Sequence, residues 1–567
     1  MSLPLIAGTF LTVVGLAYVL YSRLIARFFR LNDAVVTPAV EFNDGVDFAP
    51  TKPFYLMGQH FSAIAAAGPI AGPILACQQF GWLPCLLWIG LGVVFIGAVH
   101  DFSALVASVR HRGHSIAEMI RENIGARAWL AIMLFIWLSL LYVIVAFTDI
   151  TAGTFVGRIE EMEGLKVGFE RGGAVAAASA MYLLLSIVLG LIQKKFNPPL
   201  WLITLIFVPA TLGVVWMGTQ ISTWLLFSKE SWGLIILAYC FVASLLPVWL
   251  LLQPRGYLGG FVLYMALAVG VIGVFLGGYD IQQAPFKTWN AGGTTGSLFP
   301  FLFVTIACGA CSGFHGLVCS GTTSKQIAKE GDCRPVGYGA MLLEGFVAVI
   351  ALATIMILSD SDAKGAPGSI YGAGMGHFLT LVIGKKNLVF AMTFGAMAFS
   401  TFVFDTLDVA ARLGRYILQE LTGRQGKVSA VVATLATVGV PGFLMAKAPA
   451  GSWSNFWTLF GTSNQLLAAL TLLGVTVWLY RTSRRYWFTL VPMIFVMGIT
   501  FWSLAKQIQT ATSRVFEEGL HLNLNFFNGL AALLLCLLAA LVILEAYRSV
   551  RRAPRAKSSQ AEVFTTS

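Results

Sequence analysis

The chain has 567 residues, of which 57% are hydrophobic and only 11% charged. A soluble protein of this size carries about 25% charged residues, and apolar runs of about 20 residues, long enough to cross the hydrocarbon core, recur throughout. This excludes an ordinary soluble enzyme: the expected class is an all-α polytopic membrane protein, its net charge of +11 a topology signal, with the lipid bilayer and not nucleic acid as its partner.

In chain order, about fifteen spans are expected. The first, residues 3–21, has no basic stretch before it and no small-residue cleavage site, so it is expected to be kept as a helix. The second, residues 55–78, overlaps HFSAIAAAGPIAGPILACQQFGWLP (60–84) and carries Gly68-Pro69 and Gly72-Pro73 in its middle. A proline cannot donate to the carbonyl four residues back, so Pro69 strands that of Ala65, and Pro73 that of Pro69. In hydrocarbon such a break survives only inside protein or beside a polar cavity. Broken membrane helices commonly build the binding sites of secondary transporters; a plain proline kink is the structural alternative. Spans then follow at 82–109, 128–152, 172–192, 200–217, 234–252, 257–277, 298–320, 337–358, 388–410, 428–446, 455–479, 487–507 and 524–546.

Alternate loops are rich in Lys and Arg: Arg23/Arg27/Arg30, Arg110/Arg112, Lys194/Lys195, Arg255, Lys325/Lys329/Arg334, Arg412/Arg415/Arg424/Lys427, Arg481/Arg484/Arg485 and the tail after Tyr547. Intervening loops, such as 157–171 and 359–374, are poorer in them or acidic. Because cytoplasmic loops favour Lys and Arg, this places the N-terminus outside and the C-terminus in the cytoplasm. The segment 115–124 is amphipathic and expected on the inner membrane surface; the tail from 549 is polar and expected to be disordered. Four units result: an N-terminal helix and linker (1–54), a transport core (55–410), peripheral helices (411–547) and a polar tail (548–567).

The span five places after the broken one, 234–252, contains Ser244-Leu245-Leu246-Pro247. Five is odd, so it enters from the other side, and two interrupted helices in opposed halves point to an inverted repeat. A third irregular stretch, IACGACSGFHGLVCSGTTSKQ, has Gly309 and Ser312 where backbones could approach closely; ligand binding and plain small-residue packing both fit it. Cys308-x-x-Cys311 within it reads as packing, and no metal site or cofactor is expected. The break candidates are therefore Ala65, Gly68, Pro69, Gly72, Pro73, Ser244, Pro247, Gly309 and Ser312.

Charges inside spans cost at least ~2.5 kcal/mol each and default to function. At about 1.5 Å per residue, Glu344 falls within roughly 5 Å of its span's middle, on the cytoplasmic side. His60, Asp101, His315 and Asp405 fall about 8–10 Å to that side. Asp408 and Lys325 lie deeper, where snorkelling makes them less telling, and Asp149 sits at a helix end. A proton or cation path would need such an arrangement; static ion pairs would use the same residues. With Asp408, these are the coupling candidates.

Several strings resemble the carbon starvation protein A family of bacterial inner-membrane transporters, of the amino acid–polyamine–organocation superfamily. They are residues 60–84, GAVHDF (97–102), LPVWLLLQPRGYL (246–258), LFPFLFVTIACGACSGFHGLVCSGTTSKQ (298–326), VGYGAMLLEGFVA (336–348), DTLDVAARLGRYILQEL (405–421) and LFGTSNQLLAAL (459–470). The resemblance implies a five-plus-five inverted-repeat, LeuT-like core and uptake of short peptides or pyruvate in carbon starvation. Proton coupling is the leading expectation. Sodium coupling through carbonyls near Ala65 and the hydroxyls of Ser312 or Thr401, or a nutrient sensor, are the alternatives; a channel and an intramembrane metalloenzyme find little support, and no catalytic residue is implied.

Overall fold

A computed structural model describes residues 2–45, 47–156, 169–293, 296–447, 453–518, 521 and 523–552. Among them the protein is helical, with two isolated β-bridges. Twelve helices are long and apolar enough to cross a membrane, and one further pair, α2 (Pro53–Ile64) and α3 (Gly68–Phe80), forms a span bent by 45°. The expected fifteen is not reached on that criterion. The helices before the second irregular stretch are α1 (Leu3–Phe29), α4 (Trp82–Arg110), the short α5 (Ile116–Asn123), α6 (Ala126–Phe155), α7 (Arg171–Phe196), α8 (Leu200–Gln220), α9 (Lys229–Leu245) and α10 (Leu252–Leu276). Then come α11 (Leu298–Thr305), α12 (Gly313–Val318), α13 (Glu330–Met356), α14 (Pro367–Ile383), α15 (Leu388–Thr422), α16 (Lys427–Ala446), α17 (Trp453–Arg481), α18 (Trp487–Glu518) and α19 (Leu524–Arg552).

Local chemistry sets several of these limits. Pro53 and Pro367 open α2 and α14 at the first turn, where a missing N–H costs nothing. The Ser115 hydroxyl caps α5 by accepting from the Glu118 N–H at 3.3 Å. Leu246, held extended at ψ 149° before Pro247, ends α9. The expected span 234–252 is therefore displaced to Lys229–Leu245, and Pro247 lies in the connection to α10. Arg412 seals that helix end, donating to the carbonyls of Ala243 and Leu246 at 2.8 Å each.

Other expected placements differ in the structure. The loop expected at 359–374 becomes α14 from Pro367 onward. Its glycines blur the helical pattern but let it pack closely: a Cβ at Gly372 would lie 2.7 Å from that of Ala396 on α15. Arg255, expected in a cytoplasmic loop, is fully buried within α10. The boundary at 410 falls inside α15, and α17, expected to be peripheral, is buried along its apolar length. The tail begins later than expected, since α19 continues to Arg552; residues 553–567, and 157–168 of the acidic loop, lie outside the described residues.

The chain's basic stretches gather at one end of the bundle. Arg110 pairs with Glu330 at 2.7 Å and donates to the Arg30 carbonyl at 3.2 Å. Arg484 donates to the Phe29 carbonyl at 2.5 Å, and Arg481 to Ser549 Oγ at 2.8 Å. Thr51, before α2, bridges Ile327, after α12. The other end is pinned by backbone bonds from Trp82 to Ala284, Lys287 to Phe80 and Gln282 to Met356.

Candidate functional site

The two broken helices meet at their breaks. Ala65–Ala67 separate α2 from α3, and residues 306–312 separate α11 from α12. The glycines expected at the site explain the contact. A Cβ at Gly72 would stand 2.7 Å from the Thr305 carbonyl, one at Gly68 would collide with Cys308, and one at Gly309 would lie 2.8 Å from Ala348 Cβ and 3.6 Å from Pro69 Cα. Pro69 occupies the first turn of α3, and Pro73 stands inside that helix.

At the second break, side chains take up backbone groups that the lost helical turn leaves over. Gln465 donates to the Phe303 carbonyl at 2.8 Å, Trp457 to that of Thr305 at 3.0 Å and Trp88 to that of Ile306 at 3.1 Å. On the other side Asn464 Oδ1 accepts from the Phe314 N–H at 3.0 Å, while its Nδ2 donates to Ser312 Oγ at 3.1 Å and Cys308 Sγ at 3.3 Å. Asn464, Gln465 and Trp457 all come from α17. Sequence reasoning missed them, although the polar pair within the apolar string 459–470 was a visible signal.

Directly after this break, His315 on α12 stands between two carboxylates. Its Nδ1 is 2.9 Å from Asp101 Oδ2 on α4, and its Nε2 is 3.2 Å from Glu344 Oε2 on α13. Asp101 Oδ1 is 2.7 Å from His100 Nδ1. All four side chains are buried, and among the described residues neither Glu344 oxygen nor His100 Nε2 has a hydrogen-bond partner, so His315 meets Glu344 at ion-pair distance only. An imidazole can donate from both nitrogens only when doubly protonated. One imidazolium between two carboxylates leaves an excess negative charge in a low-dielectric interior.

A second cluster repeats that chemistry on other helices. Arg255 Nη2, on α10, lies 2.6 Å from Asp405 Oδ1 and 3.0 Å from Asp408 Oδ2, both on α15. Tyr239 of α9 donates to Asp408 Oδ2 at 2.8 Å, and Tyr182 of α7 donates to the Arg255 carbonyl at 2.9 Å. Arg255 and Tyr239 were not foreseen as partners, because each sits in a different stretch of the chain from the two aspartates.

The remaining candidates take no part in these ion pairs, although a Cβ at Gly259 would lie 3.7 Å from Thr401 and 3.0 Å from Asp405. His60 Nδ1 is 2.9 Å from Thr323 Oγ1. Ser244 is buried with its hydroxyl 3.4 Å from that of Thr434, and Pro247 is exposed at the end of α9, so neither joins the breaks. Asp149 pairs with Lys229 at 2.8 Å, and the Lys325 ammonium lies 5.2 Å from the Phe48 ring. Thr401 donates to Met397 Sδ at 3.2 Å.

The family model described as carbon starvation protein CstA matches residues 2–366 and 361–503. The chain belongs to the CstA family. It is 32% identical to the pyruvate/proton symporter BtsT of Escherichia coli strain K12, over 88% of this chain and 80% of that protein. It is 33% identical to the peptide transporter CstA of Mycobacterium tuberculosis, over 91% and 76%, and 31% identical to that of Helicobacter pylori, over 90% and 82%. Among solved structures it is similar to a manganese transporter of Eremococcus coleocola, with a TM-score of 0.45 and 11% identity over 90% of this chain and 98% of that one. The CstA relatives are transporters by name, and this chain is a multi-pass membrane transporter, not an enzyme.

Proposed function

We propose that this CstA-family chain imports small carboxylated nutrients, pyruvate or short peptides, by proton-coupled alternating access in a bacterial inner membrane. The observation that carries the coupling is His315 held between Asp101 and Glu344 immediately beyond a helix break: a change in its proton content alters the force between α4, α12 and α13. The names of the relatives supply the substrate class.

An inverted repeat fits the order of elements, with a different partner from the one expected. A broken helix (α2–α3), a helix with a π turn at Val93–Gly97 (α4), a short helix (α5) and a long one (α6) follow in turn. The same order returns with α11–α12, a π turn at Arg334–Gly339 leading into α13, then α14 and the long α15. The first set leaves the basic end of the bundle, where Thr51 bridges Ile327, and the second returns to it. This order supports pairing the first break with the stretch 306–312 in place of Ser244–Pro247.

Sodium coupling is the weaker reading. It would use the carbonyls near Ala65; at the other break those of Phe303, Thr305 and Ile306 accept from glutamine and tryptophan donors, and the hydroxyls of Ser312 and Thr401 are already engaged.

The test is uptake of labelled pyruvate and of a labelled dipeptide into proteoliposomes under separately imposed pH and sodium gradients. Accumulation driven by inward protons is expected; accumulation following sodium alone would overturn the coupling, and no transport of either would overturn the function. The basic end is assigned to the cytoplasm. Impermeant thiol labelling of cysteines added at the termini of cells should mark the N-terminal one and spare the C-terminal one; the reverse pattern inverts the orientation.

A further inference from the structure

The Arg255 cluster holds more donors than its partners use. The guanidinium is fully enclosed, its Nη2 faces both aspartates, and among the described residues its Nε and Nη1 have no hydrogen-bond partner. Asp408 is fixed by Tyr239 and only 3% exposed, whereas 32% of the Asp405 side-chain surface is exposed. Adjacent glycines of α10 face Asp405 on one side and α2 on the other. A Cβ at Gly259 would be 3.0 Å from Asp405 Oδ2, and one at the adjacent Gly260 would be 3.7 Å from the hydroxyl of Ser62 on α2. Ser62, and Ala66 within the break, are themselves partly exposed.

We propose that Arg255 anchors the carboxylate of a small monocarboxylate substrate, and that Asp405 occupies the anchor until it takes up a proton. This rests on the transporter reading above and gives it a substrate contact. The charge count argues for it. One guanidinium between two carboxylates carries one negative charge in excess, and a third carboxylate would double it in a medium that screens poorly. With one proton on Asp405 the cluster is neutral, and entry of the substrate anion restores the charge of the empty site. Proton and anion therefore enter together. The proton passes from water on the uptake side to Asp405, the less enclosed of the two carboxylates, and returns to water on the other side when the substrate leaves and Asp405 pairs again with Arg255.

The other groups facing this cluster do not replace either partner. Asp408 is bound to Tyr239 of α9, Tyr182 of α7 is bound to the Arg255 carbonyl, and Arg412, one turn further along α15, is committed to the end of α9. The planar fork of an arginine takes both oxygens of a carboxylate, which a lysine ammonium does not.

The experiment is counterflow exchange of labelled pyruvate, or of labelled dialanine if the wild type prefers it, by the full-length protein in proteoliposomes across external pH. In the wild type the KM should fall as the pH falls. Asp405→Asn, a neutral mimic of the protonated acid, should hold a low KM that no longer depends on pH. Arg255→Lys and Arg255→Gln should raise KM by about tenfold or more. A purely structural triad predicts the opposite: less folded protein, with an unchanged KM and pH profile in what remains. Wild-type KM in a folded Arg255 variant, or wild-type pH dependence in Asp405→Asn, overturns the proposal. Should the arginine variants not fold, the nearly isosteric Asp405→Asn decides by itself. Failure of the wild type to exchange either substrate overturns the transporter reading and this inference together; a transporting wild type with unaltered variants overturns only the latter.

Discussion

His315 can satisfy Asp101 and Glu344 at once only as an imidazolium, so the protons of the three groups form one set. Glutamine at 344 has the size of a protonated glutamate but cannot ionise. Glu344→Gln should abolish accumulation of substrate driven by a proton gradient while sparing pyruvate counterflow, as proteoliposome assays of both modes would show. An unaltered response to the gradient would remove Glu344 from the coupling machinery. Residue by residue, the site was only partly legible in sequence. Asp101, His315, Glu344, Asp405 and Asp408 stood out because charges within apolar runs are rare. Asn464 did not, since an amide in a span signals little until the broken backbone it caps is known. Arg255 was misplaced because an arginine near a span's end reads as an interfacial cation.

Among the elements, the two breaks depend on backbone approaching backbone. A Cβ at Gly72 would lie 2.7 Å from the Thr305 carbonyl and 3.2 Å from Ile306 Cα, neither of which can rotate away. Gly72→Ala should force α3 from α11, destabilise the protein by about 1–3 kcal/mol and slow exchange. Gly8→Ala, at a position with open space around it, should leave both unchanged. Melting in detergent alongside counterflow would check the pair, and an unaffected Gly72→Ala would mean that the breaks need not touch. The first break was legible because Gly68-Pro69 and Gly72-Pro73 act through their own missing N–H groups. The second was harder: residues 306–312 contain no proline, and the interruption is held by Trp88, Trp457, Gln465 and Asn464 from distant helices. Pro247 offered a stronger local signal, and it lies in the connection after α9. Helix α14 was hidden by the glycines that let it pack.

Across the whole molecule, two separate clusters each set two carboxylates around one cation. If both exchange a proton during the cycle, two protons accompany each monocarboxylate and net positive charge moves inward. A negative-inside potassium diffusion potential, imposed with valinomycin at equal pH, should then accelerate pyruvate uptake. Indifference to the potential would mean that one cluster keeps its proton throughout, leaving the proton tied to substrate binding as the transported one.

Composition, run length and the distribution of Lys and Arg by themselves determined the membrane class, the first helix break and the positions at which ionisable groups enter the bilayer. Those properties follow from hydration and covalent geometry and are carried by single residues or short runs. Only the tertiary structure decided which groups share charge and which break meets which. His315 and Asp101 are 214 residues apart in the chain, and the Asn464–Ser312 contact spans 152. A buried charge is stabilised by whatever partner packing brings within about 3 Å, and no local pattern in the chain specifies that partner.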